Sequence, residues 1–334
     1  MSMRKNLHWI DHLKSICIFL VVYGHALSLS PIIKNAIYTF HLPVFLAVTG
    51  FLGASVLLDK KSSARFVAQT KYYANLYFFF SILASIVWYL LEARSESVLK
   101  LIDPLIGAVY GLHGPKLKLI HNNDPLWYFP FLISSTALIF LFARLSWVWM
   151  AISVPLIACI SLWMKWPPLA WSIDIAPLGA LFIGVGVALR RAHDGGLGLF
   201  EKITSTRMTW LFVFIWVLGV LFNGAVNINS RVWGNSWIVF LICSVSGVLA
   251  LFSIVRKMPM SSLSSNLAKH TLVIFCIHIY LTKIVVRLTP EIPGAYQDAL
   301  VFIFALLITM VCYKVSVIVQ PVLVKWMKPT VVLK

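Results

Sequence analysis

Long apolar runs separated by short polar segments dominate the chain. They fall near residues 10–30, 36–58, 73–91, 126–143, 147–164, 172–189, 209–225, 237–255, 271–288 and 298–320. A helix rises about 1.5 Å per residue and the hydrocarbon core of a bilayer is about 30 Å thick, so roughly 20 mostly apolar residues cross it. In lipid the backbone must satisfy its own hydrogen bonds, which favours helices for such runs. The pattern predicts an all-α integral membrane protein, a bundle of about ten transmembrane helices. The stretch 101–112 is also apolar, but it is short and carries Asp103 and Pro104; a loop or a half-inserted segment is expected there. The first run holds Asp11, Lys14 and His25 and leads into Phe40-His41-Leu42-Pro43 rather than a small-residue cleavage site. It is therefore expected to stay in the mature protein. No soluble domain, long linker or 20–50-residue repeat interrupts the series, so residues 1–334 read as a single transmembrane domain.

Composition agrees with lipid as the solvent. Hydrophobic residues make up 60% of the 334 and charged residues 12%, against about 25% charged in a soluble domain. The formal net charge is +17, which invites a nucleic-acid reading until the charges are placed. With a cytoplasmic N-terminus and ten spans, 17 Lys and Arg fall in cytoplasmic segments and 7 in outer ones. That bias follows the positive-inside rule. Counting 101–112 as a further span would put the basic 190–208 loop outside. Both termini are thus expected to be cytoplasmic, with phospholipid headgroups rather than nucleic acid as the partner of the positive charge. Cys17, Cys159, Cys243, Cys276 and Cys312 all lie in apolar runs, with no metal-binding or disulfide-framework spacing.

The longest polar piece, 92–125, is expected outside. It contains His113, Gly114, Pro115, His121, Asn122, Asn123 and Asp124, and it ends at the aromatic start Trp127-Tyr128-Phe129. Two readings stand for this end: a sugar-binding surface with Asp124 and Trp127, or the aromatic belt found at membrane interfaces.

Candidate chemistry concentrates in residues 8–53. Ionisable side chains inside a span are costly and mark function by default. Lys14 and His25 are 11 residues apart, close to three whole turns, so they share a helix face about 16 Å apart along the axis. Asp11, three residues before Lys14, lies near the same stripe. In an antiparallel hairpin of the first two helices, His41 falls at a depth similar to His25. Paired imidazoles suit acid–base chemistry because histidine titrates near neutral pH. Each residue also has a plain structural reading. The histidines can bond neighbouring helices, Lys14 can snorkel to the cytoplasmic interface, and Asp11 can sit at a helix N-terminus for its dipole.

The segment resembles the start of the acyltransferase-3 family of membrane proteins, especially its fucose-4-O-acetylase-like branch. The resemblance rests on Asp11, Lys14 and His25, then Phe40-His41-Leu42-Pro43-Val44-Phe45, then Thr49-Gly50-Phe51. Pro125-Leu126-Trp127-Tyr128-Phe129, the Gly- and Phe-containing helix from Asp174 to Leu189, and Leu272-Val273-Ile274-Phe275-Cys276-Ile277-His278 match in character. The basic position of the first helix, often Arg in the family, is Lys14 here. The loop before the third span reads Lys60-Lys61-Ser62-Ser63-Ala64-Arg65 with Lys71 beyond, where the family has a denser run of arginines.

The resemblance implies an O-acetyltransferase of a bacterial inner membrane. It implies acyl-CoA, in particular acetyl-CoA, as a cytoplasmic donor substrate with no bound cofactor or metal, and a sugar hydroxyl on a cell-envelope or lipid-linked glycan as acceptor. On this reading Lys60, Lys61, Arg65 and Lys71, with Lys14, hold the CoA phosphates, and the pantetheine arm enters beside the first helix. His25 is the general base, His41 orients it or polarises the thioester, and Asp11 pairs with Lys14. Trp127, Asp124 and His278 are candidate substrate contacts. Direct transfer is expected, since no serine elbow is present and Cys17 lies about 80° around the helix from His25. A proton-coupled secondary transporter is the alternative from the same internal charges, and a scaffold of a polysaccharide assembly complex a third.

Overall fold

A computed structural model describes residues 7–25, 29–92, 97, 99, 102–111, 124–144, 146–164, 166–196, 198–288 and 296–327. The helices run in the order α1 (His8–Gly24), α2 (Pro31–Leu58), α3 (Ser63–Glu92), α4 (Ile102–Tyr110), α5 (Tyr128–Ala143), α6 (Trp147–Met164), α7 (Ala176–Asp194), α8 (Leu199–Ile203), α9 (Thr206–Asn223), α10 (Trp237–Arg256), α11 (Ser262–Leu288) and α12 (Gln297–Met327). Among the described residues the only sheet is a two-residue antiparallel ribbon, Val226–Asn227 with Val232–Trp233, in the link between α9 and α10. The protein is an all-α integral membrane protein: nine of its described helical segments are long and apolar enough to cross a bilayer. The remaining expected span, 10–30, is α1, whose 17 helical residues give about 26 Å; the helix ends at Gly24, short of the expected end, His25, Leu29 and Ser30 are not helical, and 26–28 lie outside the described residues. The nine residues of α4 give about 14 Å, too little to cross, in keeping with a loop or half-inserted segment at 101–112. Most of the 92–125 segment, including His113 and His121, lies outside the described residues.

Several helices begin well before their apolar runs. α2 starts at Pro31 rather than 36, α3 at Ser63 rather than 73, and α11 at Ser262 rather than 271. Hydropathy marks the depth of the lipid, whereas the backbone ladder continues into the interface, where Lys71 and Lys269 remain exposed. Proline at 31 suits a helix start, since its missing N–H falls among the first-turn donors that have no partner anyway.

The chain divides into two compact units. The first comprises Met1–Leu52 and Val185–Leu323. Its core gathers Trp9, Leu13 and Cys17 of α1, Val44, Ala47 and Phe51 of α2, Leu189 of α7, Phe200 of α8, and Val248 and Phe252 of α10. Trp9 meets Phe51 and Phe252 edge-on, at ring-centroid distances of 5.2 and 5.7 Å. α1 is fastened to the start of α11 by polar contacts. His12 is buried, with Nε2 2.9 Å from the Pro259 carbonyl and Nδ1 2.9 Å from the Ser264 hydroxyl. The carbonyl can only accept, so the proton sits on Nε2 and Nδ1 accepts from Ser264. The Ser15 hydroxyl donates to the Ser264 carbonyl at 2.7 Å. Replacing His12 by alanine strands the Pro259 carbonyl, so a loss of about 2 kcal/mol is expected. It would be read as a lower unfolding temperature of the detergent-solubilised protein; an unchanged temperature would show that this clamp contributes nothing.

α2 contains Pro43, which has no N–H to give the carbonyl of Thr39 one turn earlier. The hydroxyl of Ser244 on α10 donates to that carbonyl at 2.5 Å instead, and the Trp216 indole of α9 donates to the Thr39 hydroxyl at 3.1 Å. The kink-prone turn carrying His41 is thereby pinned from two neighbouring helices.

The second unit comprises Gly53–Gly184 and Val324–Lys334. Here the Tyr77 hydroxyl of α3 donates to the Ala108 carbonyl of α4 at 2.8 Å. The Trp171 indole donates to the Val109 carbonyl at 3.1 Å, and the Ser134 hydroxyl of α5 donates to the Trp171 carbonyl at 2.8 Å. These bonds hold Trp171 and Ser172 in the left-handed region, at φ 56° and 53°, a conformation uncommon for residues other than glycine.

Candidate functional site

Three intramembrane histidines of the first unit gather with one tyrosine. His25 closes α1, its backbone N–H bonded to the Val21 carbonyl at 3.1 Å, and its ring is half-buried. The His278 ring of α11 lies 5.3 Å away, centroid to centroid, tilted by 53°. Tyr38 of α2 places its ring 6.3 Å from His25 and 5.2 Å from His41. Gly24 makes room for it: a Cβ there would stand 3.0 Å from the Tyr38 ring. The Tyr38 hydroxyl donates to the Gly24 carbonyl at 3.2 Å, and the Lys34 ammonium lies 5.7 Å from its ring.

Two of the imidazoles have fixed tautomers. His41 is buried with Nδ1 2.7 Å from the Ile37 carbonyl, and His278 is buried with Nδ1 2.8 Å from the Phe275 carbonyl. A carbonyl accepts only, so both carry the proton on Nδ1 and present a lone pair at Nε2. The cluster thus offers imidazole lone pairs as proton acceptors, the groups most often used in general-base chemistry. The first two helices bring His25 and His41 to the same tyrosine, as a hairpin of α1 and α2 requires.

Asp11 and Lys14 sit near the other end of α1. Lys14 is half-buried and within the electrostatic reach of the Asp11 carboxylate. About 16 Å of helix separates Lys14 from His25, so the lysine is not part of the histidine cluster.

In the second unit the turn from α2 to α3 gathers basic side chains. Lys60 and Lys61 are exposed, and so is Lys71 further along α3. Arg65 is committed to Asp59 at 2.8 Å. Sequence reasoning missed Arg144, which follows α5. Its guanidinium donates to the Asp59 carbonyl at 3.0 Å and lies 3.9 Å over the Phe140 ring, itself stacked on Phe66. Phe140 lies one helical turn before Arg144, but nothing in the local sequence signals the bond to Asp59, which lies 85 positions earlier. Trp127 ends a short 3-10 turn, Asp124–Trp127. It is buried, with its ring 5.5 Å from Phe131, so its indole packs as a core side chain. The Asp124 side chain lies outside the described residues.

Tyr38 was also invisible to pattern reading. A tyrosine near the end of a span reads as an interfacial anchor, and only the pairing of α1 with α2 shows it between chemistry-bearing neighbours in sequence. Among the described residues no group of three or more His, Cys, Asp or Glu has the arrangement of a metal site.

Comparison with known proteins matches one family model, that of the acyltransferase-3 acyltransferase domain, over residues 7–314. No curated protein and no solved structure matches the chain. The match covers nearly the whole length and includes α1 with His25, α2 with His41 and α11 with His278. The chain is a multi-pass membrane protein that belongs to the acyltransferase-3 family, and its activity is that of a membrane acyltransferase.

Proposed function

We propose that the protein moves an acetyl group from acetyl-CoA to a sugar hydroxyl of a cell-envelope or lipid-linked glycan in a bacterial inner membrane, in the manner of the fucose-4-O-acetylase-like branch of the family. The observation that carries this reading is the histidine cluster at the end of α1, with His25 and His41 on either side of Tyr38 and His278 beside His25. His25 takes the proton of the acceptor hydroxyl as the oxygen attacks the thioester carbonyl carbon. The new C–O bond forms, the C–S bond breaks, and the departing CoA thiolate takes a proton from the His25 imidazolium. His41, with its Nδ1–H spent on Ile37, steadies the site beside it. Lys60, Lys61, Arg65 and Lys71, joined by Arg144, supply positive charge for the CoA phosphates. Lys14 with Asp11 adds a charged pair on α1, while Asp124 remains a candidate for the acceptor side.

The test is transfer of label from radiolabelled acetyl-CoA into the glycan fraction of membranes that carry wild type or His25→Ala at matched protein level. Label with wild type and none with the variant supports the reading. Absence of label from every envelope glycan would overturn it in favour of another acyl acceptor or of proton-coupled transport.

The donor side has its own test. Lys60 and Lys61 are exposed, so replacing both with alanine leaves folding intact. Removing two charge-assisted hydrogen bonds to phosphate should raise the KM for acetyl-CoA by roughly tenfold with kcat unchanged, the signature of binding weakened equally in ground and transition states. An unchanged KM would remove these lysines from the donor site.

A further inference from the structure

We infer that His278 is a positioning residue for His25: its buried Nε2, unpaired among the described residues, is the acceptor that one His25 ring N–H takes when that ring turns toward it, leaving the lone pair on the other His25 nitrogen to act as base. This rests on the reading of His25 as the general base.

Three observations point to it. The Nδ1–H of His278 is already donated to the Phe275 carbonyl, so its Nε2 is an acceptor. That Nε2 is fully buried and receives no hydrogen bond among the described residues, an arrangement that native proteins rarely tolerate without a purpose. The ring beside it is His25, 5.3 Å between centroids and tilted by 53°, close enough for a turn of the His25 ring to bring an N–H within a hydrogen bond of about 3 Å.

The chemical consequence concerns which nitrogen of His25 is basic. A neutral imidazole carries its proton on either nitrogen, and only one choice leaves a lone pair toward the acceptor hydroxyl. An acceptor fixed on one side selects that tautomer and holds the ring plane. It also stabilises the imidazolium formed when His25 takes the proton, since the N–H toward His278 then becomes a charge-assisted donor. His41 is differently placed: its ring stands against Tyr38, and no ring contact joins it to His25 among the described residues.

The paired substitutions His278→Gln and His278→Asn test this. The side-chain oxygen of glutamine reaches near the place of Nε2 and restores an acceptor for His25. Asparagine reaches only near the place of Nδ1, so it keeps the bond to the Phe275 carbonyl and leaves nothing at Nε2. With acetyl transfer measured on full-length protein in membranes, Asn is expected to lower kcat by about 10- to 100-fold, the usual cost of removing an orienting partner. KM for donor and acceptor should stay unchanged, and Gln should keep most of the wild-type kcat. A structural role through Phe275 predicts the reverse order, Asn active and Gln impaired, and would overturn the proposal. A loss that appears in KM for the acceptor would also overturn it and make His278 a substrate contact. His25→Ala, run beside them, separates the two ideas. If that variant turns over like wild type, the base reading itself falls; if it is inactive while His278→Asn is unimpaired, only the pairing falls.

Discussion

Replacing His25 by alanine is expected to lower kcat for acetyl transfer by about 10³-fold, within the range that a well-placed general base contributes. That factor corresponds to about 4 kcal/mol of activation free energy. The expectation follows from where the imidazole sits. It terminates α1, so its backbone is held by the bond to Val21 while its ring projects beyond the last turn toward Tyr38 and His278. A sugar hydroxyl is a poor nucleophile until its proton has somewhere to go, and a positioned imidazole is the commonest acceptor for it. His41 and His278 each have one nitrogen tied to a carbonyl of their own helix, whereas neither ring nitrogen of His25 is so tied among the described residues. Folding should survive the substitution, because the ring is half-buried at a helix end and outside the aromatic core around Trp9 and Phe51. The measurement is turnover of radiolabelled acetyl-CoA at saturating donor with equal protein in each membrane sample. Turnover within a few-fold of wild type would remove His25 from the chemistry.

Much of the architecture was legible because a membrane span leaves a coarse signature. Each of the ten expected runs holds a helix, though the first stops at Gly24 rather than 30, and the short helix 102–110 falls inside the apolar stretch set apart from them. The misplaced helix starts at 31, 63 and 262 share one cause: a helix continues through residues that lipid would reject. The site was legible in part. His25 and His41 stand out as titratable residues in apolar surroundings, and both lie against one tyrosine, whereas Lys14, which stands out for the same reason, lies away from that cluster. Tyr38, Arg144 and the approach of His278 to His25 were not readable, since each depends on which helix packs against which. His12 shows the converse. It sits beside Asp11 in the segment richest in chemistry, yet both its nitrogens are spent on fastening α1 to α11. Two histidines of one segment thus differ in their partners, His12 spent on a neighbouring helix and His25 beside Tyr38 and His278, which no spacing rule reports.

The largest structural effect should come from one methyl group, at Gly186. A Cβ on that residue would run into the carbonyl oxygen of Ala47, and would lie 2.7 Å from the Ala47 carbonyl carbon and 2.8 Å from the Phe51 nitrogen. These are backbone atoms of α2, so no rotamer change relieves the clash; α7 and α2 must move apart. Without a hydrophobic drive between helices in lipid, such close backbone approach is the main source of packing energy, and overfilling it costs about 3 kcal/mol or more. Gly184, two positions earlier on α7, provides the contrast, since a Cβ there meets only the flexible Ile139 Cδ1 at an ordinary 3.5 Å. Alanine is favoured over glycine inside a helix by about 1 kcal/mol, so Gly184→Ala should be neutral or slightly stabilising while Gly186→Ala is severely destabilising. The unfolding temperature and the monodispersity of the two solubilised variants report the difference directly. Activity should follow stability at Gly186, because the strained turn of α2 lies less than two turns beyond His41, and α10 closes on the same helix at Gly247, where a Cβ would stand 2.7 Å from the Phe40 Cβ. The helix carrying His41 is therefore gripped by glycines on two neighbours, and a Gly186→Ala protein as stable as wild type would show that this grip does not hold the histidine in place.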